Sequence, residues 1–244
     1  MTSRGIRRAF TLAVAITTVA VSVATPTSGR ALRQEATPSS TYSCETISTG
    51  AASTPRMDHG AMDGMETASP EAGMAMEMGI DLLYIDMMIP HHASIIALAE
   101  AALPRLADER LQGIAQNIAD TQSAEIEELG GLRAELAGNA MPMPMDDMAM
   151  GMMMETMPGM GSMEEMATQM DPVAQVTAFC EAEDYDLAFI ELTIPHHEMA
   201  IAASEAVLDQ SSNDELLAFA ERVIADQQAE IDVLLDIRDE LTGS

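Results

Sequence analysis

The chain contains no lysine: its 11 basic residues are all arginine, and they face 40 Asp and Glu for a formal charge of −29. Binding nucleic acid needs basic patches that neutralise phosphates, and none can be assembled here. The apolar run from Phe10 to Ala24 spans about 15 residues where a membrane helix needs roughly 20, so no stable span is expected after signal cleavage, with an uncleaved anchor as the alternative. There are two cysteines, Cys44 and Cys180, which allow one disulfide or two separate thiols. No Ser-His-Asp arrangement, phosphate loop or nucleotide fingerprint is apparent, which leaves the common hydrolase and nucleotide chemistries without support. What remains is an acidic protein that attracts cations, much of its charge serving solubility.

Residues 1–30 read as an export signal, with Arg4, Arg7 and Arg8 before the apolar run and small residues at its end. The expected location is therefore periplasmic, cell-envelope or extracellular, an oxidising setting in which Cys44 and Cys180 can bond. Residues 31–77 are rich in Ser, Thr, Pro, Gly and Ala and read as a disordered tail, because so little apolar surface cannot offset the entropy of ordering. Within the tail, Met57, His59, Met62 and Met65 crowd thioethers and an imidazole into nine residues, a combination suited to soft Cu(I).

From about residue 78 the spacing becomes helical. Leu82, Ile85, Ile89, His92, Ile96, Ala99 and Leu103 recur in steps of three and four. A second helix carries Leu111, Ile114, Ile118, Gln122, Glu125, Leu129, Leu132 and Leu136 and ends at Gly138. Residues 139–170 hold 13 of the 23 methionines and read as a linker whose tail turns helical from about Ser162. Asp171-Pro172 then opens the second half as an N-cap with proline in the first turn. Adding 105 aligns residues 81–136 with 186–241 without a gap, with roughly 22 of 56 positions identical. Ser212 and Glu215 predict a capping box for the last helix. Two hairpins with one apolar side each predict an all-α four-helix bundle with pseudo-two-fold symmetry: repeat 1 over about 78–138, the Met-rich linker, and repeat 2 over about 171–243.

The polar residues on the apolar stripes are the informative ones. Four of the five histidines sit in two pairs, His91-His92 and His196-His197. Gln122 and Glu125 in one repeat match Gln227 and Glu230 in the other. A carboxylate in a helical core costs several kcal/mol unless it is paired or binds a cation. Imidazoles beside carboxylates at mid-bundle suggest a metal site, with Glu125 and Glu230 as ligands or as partners orienting the rings, and Gln122 and Gln227 behind them. The bland reading is a buried His–Glu layer that fixes register. Pro90 and Pro195 each remove a helical hydrogen bond just before a His pair. Asp81 and Asp186 read as caps, and Met87 and Met199 as packing. Met88 neighbours His91 and His92 and could add a thioether, although its counterpart is Thr193.

At these residues the chain resembles the DUF305 family, ferritin-like helical proteins that include exported copper-binding members. The resemblance rests on Asp81, Tyr84-Ile85, Met88-Ile89-Pro90-His91-His92 and Gln122-Ser123-Ala124-Glu125-Ile126. It recurs in Asp186, Phe189-Ile190, Ile194-Pro195-His196-His197, Ala200-Ile201 and Gln227-Gln228-Ala229-Glu230-Ile231. The chain departs from the family pattern at Thr193, where methionine is usual, and at Leu98 and Ala203, where another methionine commonly follows. Fewer core thioethers shift attention to the linker methionines for Cu(I). The expectation is an exported protein that binds, delivers or confers tolerance to copper, with zinc or iron as other metals its ligands would accept. A metal-transfer partner or a homo-oligomer would fit such a role. A di-metal oxidase on a ferritin-like plan and a purely structural bundle are the alternatives.

Overall fold

The most apolar helix is the one around which the others pack. In the computed structural model, which describes residues 42–49 and 79–243, that helix is α2 (Ile80–Ala102). It is long and apolar enough by composition to cross a membrane, yet most of it is buried inside the protein. A helix apolar all round has no face to give to water, and α2 is covered by α3 (Glu109–Ala137), α6 (Pro172–Cys180) and α7 (Tyr185–Gln210). Helix α7 packs in turn on α8 (Asp214–Thr242), and α3 touches α8. Short helices α1 (Cys44–Ser48), α4 (Asp147–Thr156) and α5 (Met163–Gln169) complete an all-helical structure, with no strand among the described residues. The export segment, most of the tail and the Met57–Met65 motif lie outside the described residues.

Local chemistry sets most helix ends. Asp108 caps α3 through Arg110 N–H, and Asp171 caps α6 through Val173 and Ala174 N–H with Pro172 in the first turn. Gly138 ends α3 in the left-handed region at φ 77°, where a side chain would be strained. Three expectations are corrected. The cap of α8 is Asn213, which accepts from Glu215 and Leu216 N–H, and not Ser212; the amide one residue later reaches the same orphan donors. Asp186 does not cap its own helix, a task taken by Asp184; its two oxygens accept from Ala107 and Asp108 N–H and so tie α7 to the turn before α3. Gly79, with no side-chain bond, stands at the N-cap of α2, so Asp81 is not its cap.

Residues 139–170 are more structured than a linker. Asp146 and Ser162 cap α4 and α5, and Met153, Met157, Met160 and Met166 are buried in the core. Methionine's flexible side chain fills irregular gaps that a branched residue would not fit, so a glycine-broken segment can still pack. A disulfide joins Cys44 to Cys180 and ties α1 to the end of α6.

The apolar interior falls into two large clusters along the long helices, beside a small one of Ala97, Ala101 and Val176 between α2 and α6. One takes Leu83, Tyr84, Met87 and Met88 from α2, Leu129 and Leu132 from α3, Met199 and Val207 from α7, and Leu216, Phe219 and Val223 from α8, together with the buried methionines above. The other takes Ile95 and Leu98 from α2, Leu111 and Ile118 from α3, Phe189 and Ile190 from α7, and Leu234 and Ile237 from α8, closed by Phe179 and Cys44. Each fully buried Leu or Ile contributes about 1.5–3 kcal/mol relative to exposure. Between the two clusters in sequence, on every long helix, lie the polar residues of the stripes.

Candidate metal centre

All four paired histidines have no solvent exposure. Both members of each pair stay inside because α2 and α7 are covered on several sides, and each helix runs unbroken through its proline. Gln122 and Gln227 are buried, as is Glu125, while Glu230 is half-buried.

Two kinds of contact organise the layer. Within each repeat, the second histidine meets the glutamate of the neighbouring helix. His197 Nε2 stands 2.7 Å from Glu230 Oε2 and forms a hydrogen bond with it. His92 Nε2 lies 3.0 Å from Glu125 Oε2 but is not aligned as a hydrogen bond. Between repeats, the first histidines stack: the His91 and His196 rings lie 3.6 Å apart, tilted by 32°. His196 Nε2 is also 3.1 Å from the His91 carbonyl and 3.0 Å from Ser94 Oγ. Ser94 Oγ bonds the His91 carbonyl at 2.7 Å and the Gln169 carbonyl at the end of α5.

Acceptors fix where protons sit. A carbonyl and a carboxylate can only accept, so His196 and His197 carry their hydrogens on Nε2 and present bare lone pairs on Nδ1. Neither Nδ1 has a partner. Among the described residues, six of the eight ring nitrogens of the paired histidines lack a hydrogen-bond partner. An unsatisfied buried polar atom costs about 1–3 kcal/mol, which makes six of them a poor packing layer; each neutral imidazole keeps one bare lone pair, so the four rings offer four nitrogens to a metal. Burial holds the His91 and His196 imidazoles well below the usual histidine range, with repulsion from the neighbouring histidines adding to it. They are neutral near pH 7, the state that binds metal.

The donors are not yet gathered. Among the described residues no three His, Cys, Asp or Glu groups converge closely enough to enclose an ion as they stand. A bound ion would require the rings to turn: His91 and His92 have no ring hydrogen bond to break, whereas His196 and His197 are held at Nε2. Met88 is fully buried in the methionine-rich cluster, one turn before the histidines, while the Thr193 hydroxyl at the matching position is buried without a partner. Ser94 and Met199 occupy equivalent positions in the two repeats, so α2 supplies the buried Met87 and Met88 before its pair and α7 supplies the buried Met199 after its own. The motif Met57, His59, Met62 and Met65 lies outside the described residues.

Sequence reasoning missed two features. Ser94 bridges the layer to α5, but a serine one turn past the histidines carries no signal in a helical pattern. Asp86 and Arg133 form a fully buried pair, Nε to Oδ1 at 2.5 Å, and Arg133 also donates to Asn139 Oδ1 at 2.7 Å. Arg recurs at 238 in the second repeat, where it pairs only with the exposed Asp239, and this repetition concealed the difference.

The family profile "Domain of unknown function (DUF305)" matches residues 81–238. The chain belongs to the DUF305 family. Solved structures agree. CopM in its Cu(II)-bound form is 25% identical, with a TM-score of 0.51 over 66% of this chain and 97% of that one. CopM in an Ag-bound form obtained by soaking is likewise 25% identical, with a TM-score of 0.50 over 66% and 95%. A DUF305 protein from Streptomyces coelicolor, 20% identical, shares the fold at a TM-score of 0.54 over 66% and 93%. No curated protein matches the sequence.

Proposed function

We propose that this DUF305 protein is an exported copper-binding protein, serving binding, delivery or tolerance. Its metal is held in the polar layer of a ferritin-like four-helix bundle built from two repeated hairpins. The observation that carries this is the set of unpartnered ring nitrogens on His91, His92, His196 and His197, four side chains with no solvent exposure. Their chemistry fits the group: imidazole suits Cu(II) and thioether suits Cu(I), and Met88 and Met199 lie in the adjoining core. Glu230 orients His197 and Glu125 faces His92, the arrangement by which a carboxylate raises the basicity of a ligating ring. CopM, at 25% identity, has been solved with Cu(II) and with silver bound, which supports the same class of cargo for this chain. Gln122 and Gln227 stand where a di-metal oxidase would want further carboxylates, so the binding reading is preferred to the oxidase.

The test is copper content at equilibrium. Protein recovered from the exported fraction is analysed for metal and titrated anaerobically with Cu(I) and aerobically with Cu(II), beside the H91A/H92A/H196A/H197A variant. Copper held by the wild type and lost in the variant is the expected result. Equal binding by both would move the site to the methionine segments, and no binding by either would leave a packing layer.

A further inference from the structure

A fully buried donor set needs a way in. A cleft of about 540 Å3 runs between α3 and α8, and its lining includes Gln122, Glu125, Gln227 and Glu230, the polar residues in front of the buried histidines. Asn117 and Asp226 stand on its walls, and Gly113 and Val233 lie farther along. Two observations mark it as a place for a cation and not a mere gap between helices. First, the amide oxygens of Gln122 and Gln227 are buried and unpartnered although both residues line the cleft, so each lacks a donor there. Second, Glu125 and Glu230 line the cleft and also touch His92 and His197; Glu230 meets His197 through Oε2 while its Oε1 accepts from Asn117 Nδ2 on the cleft wall, so both carboxylates reach from the cleft to an imidazole.

We infer that the α3–α8 cleft is a capture site for hydrated divalent cations, through which metal reaches the buried imidazoles. The inference rests on the copper-binding reading of the layer. Carboxylate and amide oxygens are hard, weakly selective ligands that exchange quickly, which suits a place of passage; nitrogen donors behind them hold Cu(II) more tightly. The cation replaces lost water with Glu125, Glu230 and the glutamine oxygens, then moves inward as His92 and His197 turn their rings. Glu125, Asp226 and Glu230 outnumber Arg110 on the lining, which is itself paired with Asp108 and Glu240, and this net negative wall raises the local cation concentration, so entry is faster than for a neutral opening and sensitive to salt.

The experiment follows the rate of Cu(II) loading, supplied as the chloride, by stopped-flow absorbance of the imidazole–Cu(II) band in the full chain. Every protein carries His59→Ala, so that the imidazoles loaded are those of the layer. Val233→Trp plugs the cleft from α8, where Val233 is 45% exposed. Gly113→Trp plugs it from α3, where a Cβ would meet nothing within 4 Å. Ala218→Trp fills a separate depression beside Arg222 and Glu128 and serves as the control. The expected result is loading at least ~10-fold slower in the two plugged variants, with final copper per chain unchanged and the control at the wild-type rate. Glu125→Gln with Glu230→Gln lowers the rate and flattens its dependence on ionic strength. Wild-type rates in both plugged variants would overturn the entry route while leaving the copper reading intact. If one of them fails to fold by circular dichroism, the other decides. No copper in the wild type at equilibrium would instead sink the copper reading, and the route with it.

Discussion

The two apolar clusters flanking the histidine layer are built from the same four long helices, yet they differ in kind. One holds seven buried methionines, namely Met87, Met88, Met153, Met157, Met160, Met166 and Met199; the other holds none and is packed with Ile, Leu and Phe. A strict internal repeat would have made the two ends alike. They diverge because the segment between the repeats folds onto one end, while α1, α6 and the Cys44–Cys180 bond close the other. Methionine thus has two roles in this chain. Four residues of the 139–170 segment are core, and Met141, Met143, Met148, Met152, Met154 and Met163 remain exposed, where a soft cation could reach them.

The sharpest way to break the comparison is to cut the anchor of the methionine-rich end. Arg133 holds Asp86 on α2, both of them out of water, and reaches Asn139 at the exposed start of the segment. Asp86→Ala leaves the guanidinium buried without its partner and is expected to lower stability by about 3–5 kcal/mol in urea unfolding. Glu191→Ala, at the matching exposed position of the second repeat, is expected to stay within about 0.5 kcal/mol. Equal effects would mean that the ends are anchored alike. At the methionine-free end, Cys44→Ser with Cys180→Ser removes the only described covalent tie and is expected to cost about 2–4 kcal/mol. Proteolysis of that variant should begin near α1, leaving the methionine segment protected.

Much of this division was readable beforehand, and its limits have physical causes. The long helices, the pairing of His with Gln-x-x-Glu and the end at Gly138 follow from a 3.6-residue period and glycine's access to positive φ, both local properties. The methionine segment reads as a linker because its glycines and prolines break periodicity, while methionine packs without needing a period. The capping box at Ser212 failed by one residue because Asn213 competes for the same amides. Leu136 lies on a predicted stripe but is exposed, as is Leu241 at the matching position of the second repeat, since a stripe says nothing about where the partner helix stops. Which histidine stacks and which meets a carboxylate is set by tertiary packing alone: adjacent residues on one helix cannot announce it.

The layer shared by both ends gives the next test. Burial lowers the proton affinity of His91 and His196 in the folded state, whereas the unfolded chain has ordinary histidines near pH 6.5. Below that pH the unfolded chain binds more protons than the folded one, so stability falls as pH falls. The contribution is complete above about pH 6.5, and acidification should remove about 1.4 kcal/mol per pH unit for each of the two rings. Urea midpoints of metal-free protein at pH 7.5 and 5.5 measure it. In the H91A/H196A variant this component should vanish; an unchanged slope would place the acid sensitivity among the carboxylates.

The smallest expected change in stability is also the one that separates thioether chemistry from packing. Leucine nearly matches methionine in volume, so Met88→Leu and Met199→Leu should each cost less than about 1.5 kcal/mol. Thioethers favour Cu(I), and imidazoles accept either oxidation state. If the methionine-rich core lends sulfur to the layer, the double variant keeps its Cu(II) affinity and loses Cu(I) affinity, measured by competition with a chromogenic chelator. The same exchange at the methionine-free end, Leu98→Met, should leave Cu(I) affinity where it was unless a thioether there reaches the rings as well. That outcome would mean proximity to the layer, and not the methionine segment, governs soft-metal binding. Unchanged Cu(I) affinity in both variants would assign the buried methionines to packing alone and leave the four imidazoles as the whole of the site.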